Sequence, residues 1–145
     1  MRQLAGRRLW LGHAGDLRNP VAIMDLEIGA VVELADSELP AVLPRELVRL
    51  RFPLSDGGEN PAWLFRLASQ SVAALLRAGV PTLVCCSAGM SRSVCIAAGG
   101  IAIAEGVCFA DAIAIVTRDG PADISPALFD QMQRALTDSS DPAPD

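Results

Sequence analysis

The sequence has little of what marks several common classes of protein. It contains no block of Lys or Arg, and its formal net charge is −5. It therefore lacks a strongly basic segment of the kind that binds nucleic-acid phosphates. Its longest uncharged apolar run, residues 94–104, is too short to span a bilayer. We expect a soluble, cytoplasmic protein that binds neither nucleic acid nor a membrane, and the sequence leaves its oligomeric state open.

Histidine and cysteine are also scarce. The 145 residues include one His, His13, and four Cys, and none of them belongs to a cluster with the ligand spacing of a metal site. Four cysteines in a chain of this length do not resemble a disulfide framework, so core thiols or one reactive thiol are expected. The sequence therefore predicts a protein without a metal, another cofactor or a disulfide scaffold.

The sequence does contain an alternation of short apolar strands and helical patterns. This alternation predicts an α/β fold, a single domain with a central, mostly parallel sheet flanked by helices on both faces. We place the domain at residues 1–137 and a disordered tail, rich in Asp, Ser and Pro, at 138–145. The predicted strands are residues 9–12, 30–34, 48–54 and 80–85, and the predicted helices are residues 21–28, 61–78, 93–104, 109–118 and one that starts at 126.

Individual residues sharpen this prediction. Asn19 is expected to cap the first helix and Gly29 to end it. Arg49 and Arg51 alternate with apolar residues in the third strand and are expected to face water. The Gly99-Gly100 pair lowers helix propensity, so we expect the helix that contains it to pack closely against a neighbour.

Residues 84–93, Val-Cys-Cys-Ser-Ala-Gly-Met-Ser-Arg-Ser, carry the clearest chemical signal. They connect an apolar strand to a helix, and a loop there turns its free N–H groups and the positive end of the helix dipole toward an anion. The small residues of the loop let the backbone wrap around a phosphate. Arg92 adds two charge-assisted hydrogen bonds from a planar guanidinium. The predicted phosphate-binding residues are Ser87, Ala88, Gly89, Met90, Ser91 and Arg92.

Cys86 is the candidate nucleophile of this loop. The helix dipole and Arg92 favour its thiolate, and thiol pKa values in such settings fall to roughly 3.5–7.5. A thiolate aimed at bound phosphorus can take the phosphoryl group. Asp56, on a glycine-flanked loop at the end of a strand, is the candidate general acid and base, with Glu59 as its substitute. Ser93 is expected to bond the cysteine sulfur and make it a better leaving group.

Cys86 and Arg92, separated by Ser-Ala-Gly-Met-Ser and followed by Ser93, form a motif that matches a family. It resembles the active-site loop of the cysteine-dependent protein tyrosine phosphatases, in the Ala-Gly-x-Ser-Arg-Ser form typical of the dual-specificity branch. The start at Trp10 and the loop of Asp56 fall in that family's order. The resemblance implies that Cys86 is the nucleophile, Arg92 the phosphate clamp, Ser93 the thiolate partner and Asp56 the general acid.

The chain contains no Tyr, so it lacks the tyrosine-containing loop that deepens the pocket of the tyrosine-specific enzymes in that family. The resemblance therefore implies a shallow pocket that admits phosphoserine and phosphothreonine as well as phosphotyrosine. No basic residue lies between Cys86 and Arg92, which disfavours a highly charged inositol phosphate. The expected function is that of a dual-specificity protein phosphatase that works through a phosphocysteine intermediate without a metal.

Cys85 departs from the family pattern, which usually has His immediately before the nucleophile. Reduced activity or a less depressed thiol pKa is the expected consequence. A redox alternative also remains open, in which Cys85, Cys95 or Cys108 traps oxidised Cys86 as a disulfide. Two other functions remain open as well: a phosphate-recognition module with little or no turnover and, with less support, a sulfur-transfer enzyme of rhodanese type.

Overall fold

The structure is a computed structural model that describes residues 1–37, 41–118 and 120–137. Within these residues, strands and helices alternate along the chain as the sequence predicts. The strands are β1 (Arg2–Gln3), β2 (Leu9–His13), β3 (Ala30–Ala35), β4 (Val48–Leu54) and β5 (Thr82–Cys86). The α-helices are α1 (Pro20–Asp25), α2 (Ala62–Arg77), α3 (Arg92–Glu105), α4 (Phe109–Thr117) and α5 (Pro126–Thr137), and a 3₁₀ helix spans Ala14–Arg18. The predicted tail, 138–145, lies outside the described residues.

The five strands form one sheet in the order β1-β2-β5-β3-β4. Strands β2, β5, β3 and β4 run parallel to one another, and β1, which the sequence did not predict, is the one antiparallel strand among the described residues. The predicted mostly parallel sheet is therefore confirmed. In the register of the sheet, Cys86 lies beside His13, and Cys85 lies beside both Gly12 and Glu33. The loops that follow these strands consequently meet at one edge of the sheet.

Helices cover both faces of the sheet, as predicted, but unequally. A large core lies between one face and helices α2 to α5, and a smaller core lies between the other face and the 3₁₀ helix with α1. On β5, Val84 and Cys86 face the large core, whereas Leu83 and Cys85 face the small one. Because successive strand residues point to opposite faces, the two adjacent cysteines direct their side chains apart.

Helix α3 lies at the centre of the large core, and its residues are buried from Arg92 to Ala102. A Cβ atom built on Gly100 would lie 2.4 Å from Val72 Cγ1, and one built on Gly99 would lie 2.5 Å from Ser69 Oγ, both on α2. The close packing expected from the glycine pair is therefore confirmed. It brings α2 against the helix that begins at the candidate phosphate loop.

Several local predictions differ from the structure. The Asn19 side chain accepts a hydrogen bond from Ala22 N–H, as expected of a cap, but α1 already ends at Asp25. The chain then turns at Glu27, which has a φ of 58°. Gly29 instead lies against β5, where its N–H donates to Pro81 O at 2.8 Å. The end of the helix was misplaced because a glycine near a strand is as compatible with strand pairing as with a helix end.

The third predicted strand, β4, is confirmed together with its two solvent-facing arginines. Arg49 and Arg51 are both exposed, but the guanidinium of Arg49 also binds the carboxylate of Glu33 on β3.

No helix within the described residues is long and apolar enough to cross a membrane.

Candidate active site

Residues 87–91 form a tight loop between β5 and α3, and Gly89 is the residue that allows its path. Gly89 has a φ of 75°, a region that residues with a Cβ rarely adopt. A Cβ at this position would also lie 2.9 Å from the carbonyl oxygen of Gly12, at the end of β2. The loop therefore rests directly on the backbone of the neighbouring strand. Only glycine satisfies both requirements.

Cys86 is 3% exposed, and its sulfur lies inside this loop. The N–H of Gly89 donates to Sγ at 3.2 Å, and Ser93 Oγ lies 3.4 Å from Sγ. Burial by itself raises the pKa of the Cys86 thiol. Hydrogen bonds from the Ser93 hydroxyl and from the backbone N–H groups of Ser93, Gly89 and Ser91 outweigh burial and lower that pKa overall. The site thus favours the thiolate, which is the nucleophilic form.

Arg92 is the first residue of α3 and is 7% exposed. Its Nη1 donates to the carbonyl of Leu54 at 2.9 Å and to Asp36 Oδ1 at 3.1 Å, while Nη2 donates to Ser87 Oγ at 3.0 Å. Its Nε is buried and has no hydrogen-bond partner within the described part of the chain. A buried donor without a partner is costly, so this atom fits an anion bound in the loop.

Asp36, directly after β3, is a residue of the candidate site for which the sequence predicted no role. Its carboxylate lies on the same edge of the sheet as Cys86 and holds the guanidinium of Arg92. A carboxylate that directly follows a parallel strand is a signal that could have revealed it. The parallel register brings the ends of β3 and β5 together, whatever their separation in sequence.

The structure places Asp56 against the phosphate loop, where Ser91 Oγ donates to Asp56 Oδ1 at 2.7 Å. Asp56 is exposed, so solvent and a bound molecule can reach it. Glu59, the alternative acid, lines a groove between its own loop and α5. The geometry therefore favours Asp56 over Glu59 as the group beside the loop.

Two polar side chains hold the loop that carries Asp56. Asn60 accepts a hydrogen bond from Ser55 N–H at 2.8 Å and donates to the carbonyl of Ser55 at 2.9 Å. Its side chain therefore connects the two ends of the loop. Gln131 on α5 donates to the carbonyl of Gly58 at 2.6 Å and accepts from the N–H of Asn60 at 3.0 Å. The candidate acid consequently lies on a loop that hydrogen bonds from Asn60 and Gln131 hold in place.

Comparison with known proteins identifies the fold of the chain. No protein-family model and no curated protein sequence matches the chain. Among solved structures, human DUSP28 superposes with a TM-score of 0.81 at 22% identity over 91% of this chain and 93% of that chain. DUSP15 superposes with a TM-score of 0.78 at 21% identity over 97% and 88% of the two chains. The chain has the fold of the dual-specificity phosphatases.

A third similar structure is that of a human tyrosine phosphatase-like serine/threonine/tyrosine-interacting protein, with a TM-score of 0.75 at 20% identity over 89% of this chain and 91% of that chain. The resemblance expected from the loop motif is thus confirmed as a shared fold of the dual-specificity phosphatase type. Sequence identities this low establish the fold alone. The roles of individual residues in this chain therefore rest on their own contacts and distances.

Cys85, the residue that departs from the family pattern, faces the small core, on the opposite side of β5 from Cys86. It is buried, its Sγ lies 3.7 Å from the carbonyl oxygen of Val32, and burial is the main cause that raises the pKa of its thiol. Cys85 is therefore a neutral thiol that cannot supply the charge of a protonated imidazole. Its direction away from Cys86 also argues against a disulfide between the two.

The other cysteines lie in different surroundings. Cys95 is buried in α3, and burial raises the pKa of its thiol, whereas Cys108 is exposed.

Within residues 1–37, 41–118 and 120–137, no three His, Cys, Asp or Glu side chains are grouped so as to hold a metal ion.

Proposed function

We propose that this protein is a cysteine-dependent phosphatase that hydrolyses phosphotyrosine and phosphoserine or phosphothreonine on proteins through a phosphocysteine intermediate. One observation carries the proposal. A single loop holds a Cys86 sulfur stabilised as the thiolate and, at its end, a buried Arg92 whose Nε has no hydrogen-bond partner in the part of the chain that the structure describes. A nucleophile and an anion-binding donor in the same loop are what phosphoryl transfer to an enzyme requires.

In the first step the Cys86 thiolate attacks phosphorus, an S–P bond forms and the P–O bond to the substrate breaks. Asp56 gives its proton to the departing oxygen. The loop N–H groups and Arg92 bind the charge that spreads over the three equatorial oxygens. The first products are a phosphocysteine and a free hydroxyl group on the substrate.

In the second step water attacks the phosphorus of the phosphocysteine, and the S–P bond breaks. Asp56, now a carboxylate, accepts the proton from water. The Ser93 hydroxyl, whose oxygen lies 3.4 Å from Sγ, donates to the departing thiolate and stabilises it. Inorganic phosphate leaves, and the enzyme returns to its starting state.

The range of substrates follows from the openness of the site. Asp56 and Met90 are both exposed, from which we infer a low rim around Cys86. A low rim suits the short phosphoserine and phosphothreonine side chains as well as phosphotyrosine. The cytoplasmic location stays a prediction from the sequence.

A phosphate-recognition module with little or no turnover is the second candidate. The neutral, buried Cys85 favours it, because this residue cannot tune the neighbouring thiol as an imidazole would. A rhodanese-type sulfur transferase has less support, because Ser91 links Asp56 to a loop that also ends in Arg92, an arrangement suited to a phosphoryl group.

The decisive experiment compares hydrolysis of a phosphotyrosine peptide and p-nitrophenyl phosphate by wild type and three variants. Cys86→Ser is expected to lose about 1,000-fold or more in kcat on both substrates. Asp56→Asn is expected to lose about 100-fold on the peptide, and less on p-nitrophenyl phosphate, whose leaving group needs no proton. Cys108→Ser, at the exposed cysteine, is the matched control and should keep wild-type rates.

Two outcomes would redirect the proposal. If wild type is no faster than Cys86→Ser while the Cys86→Ser variant binds the phosphopeptide, the protein is a recognition module. If neither hydrolysis nor binding of phosphopeptide is found, the phosphate site itself is rejected.

A further inference from the structure

A cavity of about 350 Å³ lies beside the candidate active site. It is bordered by the 3₁₀ helix, by Glu33 and Ala35 of β3, by Arg51 of β4 and by Cys85 and Cys86 of β5. Its volume lies within the range of about 300–1,000 Å³ that is common for ligand clefts. Since Cys86 is part of its wall, the cavity adjoins the residue at which the candidate phosphate loop begins.

The charged groups that line this cavity are Arg18, Arg51 and Glu33. Glu33 is already neutralised, because its carboxylate accepts hydrogen bonds from Arg49 Nε at 2.5 Å and Nη2 at 2.9 Å. Its negative charge therefore does not offset the two arginines of the wall.

The two arginines have no carboxylate partner among the residues that the structure describes. Arg18 is exposed and has neither an ion pair nor a hydrogen bond there. Arg51 makes one long hydrogen bond, from Nη2 to the backbone carbonyl of Asp36 at 3.5 Å. The net charge of the chain is −5, yet this one cavity is lined by two guanidinium groups that have no carboxylate partner among the described residues.

We propose that this cavity is a subsite for a second anionic group, a carboxylate or a phosphate, carried by the protein substrate next to its phosphorylated residue. The proposal rests on the proposed function and adds to it a preference for acidic surroundings of the phosphorylated residue. A guanidinium binds either anion through two parallel hydrogen bonds. Walls that include Leu17 and Ala35 keep water away from one side of the pair and strengthen its attraction.

The test measures binding of phosphotyrosine peptides to the full chain carrying Cys86→Ser, which needs no turnover. One peptide has Ala at the two positions on each side of phosphotyrosine. Four others place Glu at one of these positions, and four place phosphoserine there. Fluorescence anisotropy gives each Kd. The best acidic peptide is expected to bind about threefold to tenfold tighter than the Ala peptide, as charged pairs of this kind contribute.

The arginine variants locate the preference. In the Cys86→Ser background, Arg18→Ala and Arg51→Ala should each bring the ratio of Kd values for the Ala and acidic peptides close to one. Arg45→Ala is the matched control, because Arg45 is an exposed arginine before the opposite end of β4, and it should keep the wild-type ratio. If Arg18→Ala is poorly folded by circular dichroism, Arg18→Gln replaces it. The glutamate and phosphoserine series separate the two sources of the anion.

The outcomes distinguish this proposal from the proposed function. If all peptides bind Cys86→Ser equally, or if the ratio survives in Arg18→Ala and Arg51→Ala, the subsite is rejected and the phosphatase proposal stands. If no phosphopeptide binds and p-nitrophenyl phosphate is not hydrolysed by wild type, the phosphate site itself is rejected. If a phosphoinositide in micelles is preferred over every peptide, the protein-substrate subsite is also wrong.

Discussion

Asp36 and Arg92 form an ion pair with 3.1 Å between Oδ1 and Nη1, and this pair orients the guanidinium that closes the phosphate loop. The Arg92 side chain is 9% exposed and that of Asp36 is 43% exposed, so the pair joins a buried cation to a carboxylate at the surface. The carbonyl of Leu54 holds the same nitrogen from a second direction. The Nε of the same guanidinium is buried and has no hydrogen-bond partner among the described residues.

Removal of the Asp36 carboxylate should impair catalysis through Arg92. Asp36→Ala is expected to lower kcat/KM for a phosphotyrosine peptide about tenfold, because a small error in the position of a catalytic group has a large effect on rate. Asp36→Asn keeps the accepting oxygen and should recover most of this loss. Asp25→Ala, at an exposed carboxylate at the end of α1, is the control. Equal rates for Asp36→Ala and wild type would show that Leu54 and Ser87 orient Arg92 without Asp36.

Loss of the Ser93 hydroxyl should raise the pKa of the Cys86 thiol, because that hydroxyl is the largest of the influences that lower it. The measurement is the rate of alkylation by iodoacetamide as a function of pH, with the site of modification identified by mass spectrometry. Alkylation follows the thiolate, so the rate rises as pH passes through the pKa of Cys86. The midpoint for Ser93→Ala should lie at higher pH than that for wild type.

Two cysteines serve as internal references in this experiment. Cys85 and Cys95 are buried with raised pKa values, so they should remain unmodified while the protein stays folded. If the midpoint for Cys86 does not move in Ser93→Ala, the backbone N–H groups of the loop stabilise the thiolate without help from the hydroxyl.

A methyl group at Gly89 should damage the loop more than one at Gly106. Both residues have positive φ, 75° and 69°, so replacement by Ala costs about 1–2 kcal/mol of stability at either position. Only Gly89 adds a clash, since its Cβ would lie 2.9 Å from Gly12 O, whereas nothing lies within 4 Å at Gly106. Thermal unfolding should therefore show the larger loss for Gly89→Ala.

Activity should separate these two glycine variants further. Gly89→Ala shifts the backbone that we propose binds phosphate and is expected to lose about 100-fold in kcat/KM. Gly106→Ala lies at the far end of α3 and should retain wild-type kcat/KM in its folded form. Equal activity of the two variants would indicate that the loop can move away from Gly12 without loss of function.

The sequence was most informative where one pattern repeats over many residues. The apolar run of residues 80–85 and the glycine pair of α3 predicted a buried strand and a closely packed helix, and both are present, the strand at Thr82–Cys86. The helix boundary at Gly29 was wrong, because local preferences at a single residue are weak against tertiary pairing. Asp36 was missed for a related reason: its place directly after a strand suggests a site residue but does not identify Arg92 as its partner.

By itself the sequence determined the loop between β5 and α3, because the short spacing of Cys86 and Arg92 and the small residues between them restrict the backbone locally. The tertiary structure decided which distant side chains meet that loop. Parallel pairing of β3 and β5 brings Asp36 to Arg92, and the packing of the next loop brings Asp56 to Ser91. Pairing of distant strands depends on the whole core, so no local pattern could reveal these partners or the cavity that Arg18 and Arg51 share.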